Sequence, residues 1–503
     1  MTAIAQESTA IPAWRRWAIL FSITLATTQY AMAILVVSVV LPQMQGSLSA
    51  TQDEVAWVMT FNILATAVMT PMSGWLAARF GRRRVMLGSM TGFTIATLFC
   101  GLSPNLPVLV LFRIAQGTFG APLIPLGQAI LLDSFPKHQH SMATSVFGMA
   151  VVVGPVIGPV LGGWLAEDYG WPAAFFMFLP FGAIAFVGMY VFLSDKGRQA
   201  GVTLDWTGFL TLSVAVIGLQ LLLSRGQRHD WFESPEIIIE AVLALIALHL
   251  FVVHSLTARQ PFLNPRLLLD RNFVIGLIIV TIYGMLNFTP MVLLPPMLQG
   301  LLGYPDSIIG LLLGLRGVGA IAGFFVAMFV SRLDPRIGMT MGFLMQVASG
   351  LHMSSFDINT TIMDVGLNST LQGLAIGIIW VPLTVAAFAT LDNRHLAEAS
   401  AVYHLLRNLG SAIFISLSVT VVIISTASNY AGMTEFISEY NKVLTLPWSL
   451  GAWNMDSTKG LAALSGELGR QAALIGYINA FKGYTFASLA VLPLIALVRI
   501  PKP

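Results

Sequence analysis

Four basic residues interrupt apolar stretches long enough to cross a membrane: Arg113, Arg316, Arg407 and Lys482. A charge in the hydrocarbon core of a bilayer is expensive, so each is a candidate for function. Arg113 is the strongest candidate, because Gln116 follows it at i+3 and shares its helix face. The alternative is structural: Arg113 would bind backbone carbonyls of the kinked apolar stretch at 142–165.

Carboxylates are scarce within these stretches. Asp53 and Glu54 begin the second stretch, where a helix N-terminus favours negative charge. We interpret them first as capping residues and second as substitute proton acceptors. Arg316 and Arg407 are predicted to have gate or packing roles, and Arg407 has the further option of pairing with a loop carboxylate such as Asp334 or Glu398.

Uncharged polar side chains within the apolar stretches could orient a ligand or join helices by hydrogen bonds. The candidates are Gln29, Tyr30, Asn62, Gln128, Asn287 and Gln299. Ligand sites are usually apolar with a few orienting polar groups, and the 23 Met and 31 Phe residues offer adaptable apolar walls. The sequence therefore predicts a cavity for a small hydrophobic or amphipathic molecule.

Composition identifies the chain as an integral membrane protein. Of its 503 residues, 56% are hydrophobic and 10% charged, whereas a soluble domain carries roughly 25% charged residues. The single cysteine, Cys100, excludes an intrachain disulfide and a cysteine metal site. We find no phosphate-binding loop, metal spacing or Ser/His/Asp pattern, so we expect no enzyme activity, no cofactor, no metal and no nucleic-acid partner.

A membrane-spanning helix needs about 20 apolar residues. The sequence predicts fourteen such spans, numbered here in chain order: 17–41, 55–78, 85–103, 106–132, 142–165, 172–194, 206–224, 236–257, 273–298, 307–331, 337–355, 365–390, 399–426 and 475–498. The predicted fold is all-α, with two six-helix bundles and two accessory helices. The predicted divisions are 1–200, 201–265 and 266–503, the last containing a long outer loop at 427–474.

Loop charges predict the orientation of the chain. With the N-terminus in the cytoplasm, 17 of the 26 Lys and Arg residues lie in cytoplasmic loops or tails. Five lie outside, and three of these are in the long loop, where charges have little influence on the orientation of the chain. Because positive charge favours the cytoplasmic side, both termini are predicted to be cytoplasmic.

Span 5 contains an unusual run of glycine and proline, 154–163. Its members are Gly154, Pro155, Gly158, Pro159, Gly162 and Gly163. In water these residues would weaken a helix, but in a bilayer they permit kinks and close helix approach. We interpret the run as a kinked, close-packed interface of a moving transporter, or as a simple packing device.

Five motifs in order resemble the major facilitator superfamily, and within it the fourteen-span drug:proton antiporters of the EmrB/QacA type. They are 74–84 after span 2, 111–117 in span 4, the Gly-Pro run of span 5, 294–304 and 407–411. The resemblance assigns the first to a gating loop, with Gly74, Arg79, Gly81, Arg82 and Arg83.

The resemblance implies a proton-coupled exporter of hydrophobic compounds in the bacterial inner membrane, with a periplasmic adaptor protein as a possible partner. It assigns Arg113 a relay of protonation state between coupling site and drug cavity. Two positions depart from the pattern: Ala33 stands where the family has a span 1 aspartate, and Ala78 where the loop has one. These departures leave open an uncoupled uniporter, a specific metabolite, siderophore or lipid-like exporter, or a transport-inactive scaffold.

Overall fold

The computed structural model describes residues 12–194, 203–330, 334–392, 394–438, 440–446, 453–455 and 457–499. Within these ranges all regular structure is helical, and helices occupy all fourteen predicted spans. Their bounds are Ala13–Ser47, Gln52–Phe80, Arg82–Gly101, Leu106–Ser134, His140–Tyr169, Ala173–Phe192, Trp206–Arg225, Pro235–Thr257, Arg271–Gly300, Asp306–Val330, Pro335–Ser354, Ile362–Phe388, Leu396–Thr434 and Thr458–Ile495.

Twelve of the described helices are long and apolar enough to cross a membrane. The other two are spans 3 and 11, which occupy corresponding positions in the two halves of the chain. Spans 4 and 6 are interrupted, at 121–122 and at Met177. Prolines explain both breaks, because Pro125 and Pro180 each clash with the carbonyl four residues earlier.

The prediction of a loop over 427–474 was wrong at both ends. Span 13 continues to Thr434 and span 14 begins at Thr458, so these helices of 39 and 38 residues exceed the roughly 20 needed to cross a bilayer. A hydrogen bond joins the two extensions, because the Tyr430 and Ser465 hydroxyls lie 2.9 Å apart. Hydropathy missed the extensions because their sequence is polar.

The two sets of six spans pack alike. Span 1 packs on span 5 and span 2 on span 4, and in the same way span 9 packs on span 13 and span 10 on span 12. Between the sets, span 2 contacts span 13 and span 5 contacts span 10. These paired contacts create a central interface, where repeat-built transporters place their substrate site.

The accessory spans 7 and 8 pack on each other, and span 7 also contacts spans 2 and 13. The Ser416 hydroxyl of span 13 donates to the Leu223 carbonyl of span 7 at 2.9 Å. The predicted domain boundary at 200 lies outside the described residues, so the division into three parts stays a prediction.

Candidate functional site

A cavity of about 440 Å³ lies at the interface between the two sets of spans. Spans 1, 2, 4, 5, 9 and 13 line it, and the C-terminal end of span 7 closes one side. Most lining residues are apolar, such as Ile34, Val151 and Phe288. Such a wall with a few polar groups suits an amphipathic organic molecule.

Three predicted cavity residues line this space: Tyr30, Asn62 and Asn287. The Tyr30 hydroxyl donates to the Thr66 hydroxyl at 2.9 Å, and the Asn62 amide donates to the Arg113 carbonyl at 2.9 Å. These hydrogen bonds fix the polar groups of spans 1, 2 and 4 relative to one another.

The other three candidates do not line the cavity. Gln29 is buried in span 1 and donates to the Leu25 carbonyl at 3.2 Å. Gln299 is exposed near the end of span 9. Gln128 is buried in span 4, where its amide oxygen accepts hydrogen bonds from span 13. Gln128 therefore connects the two halves.

Arg113 is 1% exposed and joins spans 1, 2 and 4. Its Nε donates to the Val58 carbonyl at 3.0 Å, and its Nη1 donates to the Ala33 carbonyl at 3.3 Å and to Gln116. Gln116 in turn donates to the Thr97 hydroxyl at 2.7 Å. The structural alternative, in which Arg113 binds carbonyls of span 5, was wrong about the partner, because its carbonyl partners lie on spans 1 and 2.

The glycines of span 5 bring its backbone against span 1. A Cβ at Gly158 would lie 2.7 Å from the Met32 carbonyl oxygen, and one at Gly154 would lie 3.0 Å from the Thr28 carbonyl oxygen. At Gly162 and Gly163 a Cβ would meet the side chains of Val36 and Val39. Both prolines lie inside the helix, and Pro155 lines the cavity.

The gating-loop motif begins at Gly74, inside span 2, and this part of the helix lies against the other half of the molecule. A Cβ at Gly74 would lie 2.9 Å from the Cα of Glu398 in span 13. Gly81, with φ of 90°, forms the turn, and a left-handed backbone of this kind favours glycine. The close contact at Gly74 closes the interface on the side where the described chain begins and ends.

Two arginines of this motif, Arg82 and Arg83, bind within the first half. Arg82 lies 3.4 Å from the Asp133 carboxylate at the end of span 4. Arg83 donates to the Tyr190 carbonyl at 2.6 Å and its guanidinium lies 5.1 Å from the centre of the Tyr190 ring. Arg79 is exposed in the last turn of span 2.

Arg316 and Arg407 are both buried beside the cavity. The Arg316 guanidinium donates to the amide oxygen of Asn287 at 3.1 Å and to the Asn287 carbonyl. Arg407 lines the cavity, donates to Asn408 at 3.1 Å and lies 5.4 Å from the Trp380 ring centre.

The option that Arg407 pairs with Glu398 is not what the structure shows. A Glu398 carboxylate oxygen accepts the Asn264 backbone N–H instead. Glu54 forms a capping box with Thr51, whose N–H it accepts at 2.9 Å. The side chain of Asp53 lies outside the described part of the chain.

Sequence reasoning missed His404, which lines the cavity. The sequence did contain a feature that could have identified it: His404 stands one helical turn before Arg407 in an apolar span. It also missed a second, apolar groove of about 600 Å³ between the accessory spans and spans 9 and 13. Leu405 and Leu409 line both the groove and the cavity.

The family model of the Major Facilitator Superfamily matches residues 20–415. The chain belongs to the major facilitator superfamily. Within the superfamily it is 32% identical to the multidrug export protein EmrB of Escherichia coli strain K12, over 84% of this chain and 83% of that protein. It is 30% identical to the fatty acid resistance protein FarB of Neisseria gonorrhoeae, over 95% of each.

The superfamily fold is also found in solved structures that resemble this one. The crystal structure of the human organic anion transporter MFSD10 matches with a TM-score of 0.58 at 14% identity. The match covers 95% of this chain and 100% of the other. The chain is thus a multi-pass, all-helical membrane protein of the transporter superfamily.

Proposed function

We propose that the protein is a secondary active exporter of hydrophobic or amphipathic compounds that works by alternating access between its two halves. The observation that carries this proposal is the largely apolar cavity of about 440 Å³ at their interface. Relatives named for multidrug export and fatty acid resistance support the same cargo class. The apolar groove that shares Leu405 and Leu409 with the cavity supports entry from the bilayer.

The protein is placed, under this proposal, in the bacterial cytoplasmic membrane with both termini in the cytoplasm. The lysine and arginine distribution supports that orientation. The contacts at Gly74 then close the cytoplasmic side, and the cavity faces outward. Reporter fusions to each terminus test this orientation. That a periplasmic adaptor protein binds the exporter stays an expectation from the family resemblance.

The proton gradient is the proposed driving force. Reconstituted vesicles test it: a coupled exporter accumulates substrate against a gradient and stops when an uncoupler collapses the proton gradient. A uniporter would continue down the substrate gradient in the presence of the uncoupler. A transport-inactive scaffold would move no substrate under either condition.

The charges of the cavity favour anionic or neutral amphipathic cargo over cations. Among the described lining residues, Arg407 carries a permanent charge and none is acidic. A charge-assisted hydrogen bond contributes about 1.5–3 kcal/mol, which is more than tenfold in affinity. Arg407 is the group that would supply it.

Arg407→Gln is therefore expected to weaken binding of taurocholate, an amphipathic sulfonate, by about tenfold. An uncharged steroid should bind about equally to both proteins, because it makes no ion pair. Equilibrium binding to purified protein measures both affinities. Equal weakening of the two ligands, or tighter binding of a quaternary ammonium than of taurocholate by the wild type, contradicts the proposed charge preference.

A further inference from the structure

His404 lies at the floor of the cavity, where span 13 of one half meets span 4 of the other. Its side chain is 1% exposed, and its Nε2 contacts the amide oxygen of Gln128. That oxygen also accepts the Ser400 hydroxyl at 3.1 Å. An amide oxygen only accepts hydrogen bonds, so Nε2 carries the hydrogen of the neutral ring.

The other ring nitrogen of His404, Nδ1, has no hydrogen-bond partner among the described residues. In the neutral ring this buried atom holds an unused lone pair, which can accept a proton once water from the adjoining cavity reaches it. Histidine is the side chain whose ordinary charge change falls between pH 5 and 8. His404 thus offers a proton-accepting atom at the point where the two halves join.

The surroundings of His404 contain no described carboxylate. The charged or titratable groups nearest to it are Arg407 and Tyr403 of its own span. The carboxylates on the adjoining elements are directed elsewhere: Glu398 of its own span accepts the Asn264 backbone N–H, and Asp133 of span 4 pairs with Arg82. Span 4 contributes the neutral Gln128, and span 12 contributes Trp380, whose ring centre lies 5.9 Å from that of His404. A proton on His404 would therefore be an uncompensated positive charge one helical turn from Arg407.

We propose that His404 carries the coupling proton, a role that rests on the proposed function and replaces the carboxylate absent at Ala33. Cavity water delivers a proton to Nδ1 while this side is open. The imidazolium strengthens the hydrogen bond to Gln128, but burying an unpaired charge in a dry interface beside Arg407 costs more. Protonation therefore favours separation of spans 4 and 13, which hydrates the imidazolium, and the proton leaves to water on the opposite side.

His404→Gln tests the proposal in vesicles that contain purified protein, with labelled taurocholate as the probe. We expect loss of accumulation driven by a pH gradient, with retained exchange of labelled for unlabelled taurocholate, because exchange needs no proton. His249→Gln is the matched control, since His249 is exposed in accessory span 8. If His404→Gln still accumulates taurocholate as the wild type does, the proposal is wrong.

Gln128→Glu gives a second test that does not depend on the His404 variant. A carboxylate facing His404 stabilises the imidazolium, so the pH at which accumulation is half-maximal should rise by about one unit or more. A purely structural contact would leave that pH unchanged, and an unchanged value overturns the proposal. If the wild type moves taurocholate but no pH gradient drives it, the proton drive fails and the role of His404 fails with it. If the wild type moves no taurocholate, the exporter function fails for this cargo class, and the role of His404, which rests on that function, is overturned with it.

Discussion

Arg113→Ala is expected to lower export by at least about 100-fold while the protein still inserts normally. The substitution leaves the Val58 and Ala33 carbonyls without their guanidinium partner in a dry interior. Each lost hydrogen bond from the charged guanidinium costs about 1.5–3 kcal/mol, and the loss falls on the bonds that fix span 4 against spans 1 and 2. Initial export rates at equal protein in reconstituted vesicles measure the effect.

Lys482→Ala is the matched control, because Lys482 is a basic residue in span 14 whose side chain is exposed. It should retain wild-type rates. Arg113→Lys restores the charge but not the forked geometry, so we expect it to recover only part of the activity. Full transport by Arg113→Ala would remove Arg113 from the mechanism.

Gly158→Leu is expected to abolish turnover by forcing spans 1 and 5 apart. Even the first added carbon, the Cβ, would lie 2.7 Å from the Met32 carbonyl oxygen and 3.0 Å from its Cα. Backbone atoms cannot rotate away as a side chain can, so the whole contact must shift. Overpacking of this kind costs about 1–3 kcal/mol or more, and a lower thermal unfolding temperature should accompany the lost transport.

Gly88→Leu provides the control for Gly158→Leu. Gly88 is an exposed glycine of span 3, and a Cβ there would meet nothing within 4 Å. Gly88→Leu adds the same side-chain volume and removes the same backbone freedom as Gly158→Leu, but it does not press one helix backbone against another. Normal turnover by Gly158→Leu, or equal damage by Gly88→Leu, would show that close packing of spans 1 and 5 is not required.

The fold could be predicted because long apolar runs are themselves the signal for membrane helices. Composition placed all fourteen spans, and the glycines of span 5 predicted a close helix contact that the structure contains, at Met32. The extended ends of spans 13 and 14 escaped prediction, because helices outside the bilayer need no apolar run. That span 1 is the partner of these glycines could not be predicted either, because the choice of a packing partner leaves no pattern in the local sequence.

The site was harder to predict, because lining a cavity depends on how each helix is rotated about its axis. Gln29 and Tyr30 are neighbours in span 1, yet only Tyr30 lines the cavity. Charge in an apolar span identified Arg407 as a candidate, but its contact with Trp380 required the packing of span 12 on span 13. His404 carries no permanent charge, so a search for membrane-embedded charges passed over it.

Alternating access is tested most directly by introducing one reporter cysteine at a time and measuring its reaction with a thiol reagent added on either side of the membrane. Buried Cys100 is first changed to alanine, and transport by that variant is measured as the reference. Single reporter cysteines are then introduced at Ser400, beneath the cavity, and at Ser416, in its wall. With an impermeant thiol reagent, Ser416→Cys should react from the periplasmic side in the state described here, and Ser400→Cys should be protected. Conditions that drive turnover should make Ser400→Cys reactive from the cytoplasmic side. If Ser400→Cys stays protected during measured transport, or both cysteines react from one side in every condition, the two halves do not alternate as proposed.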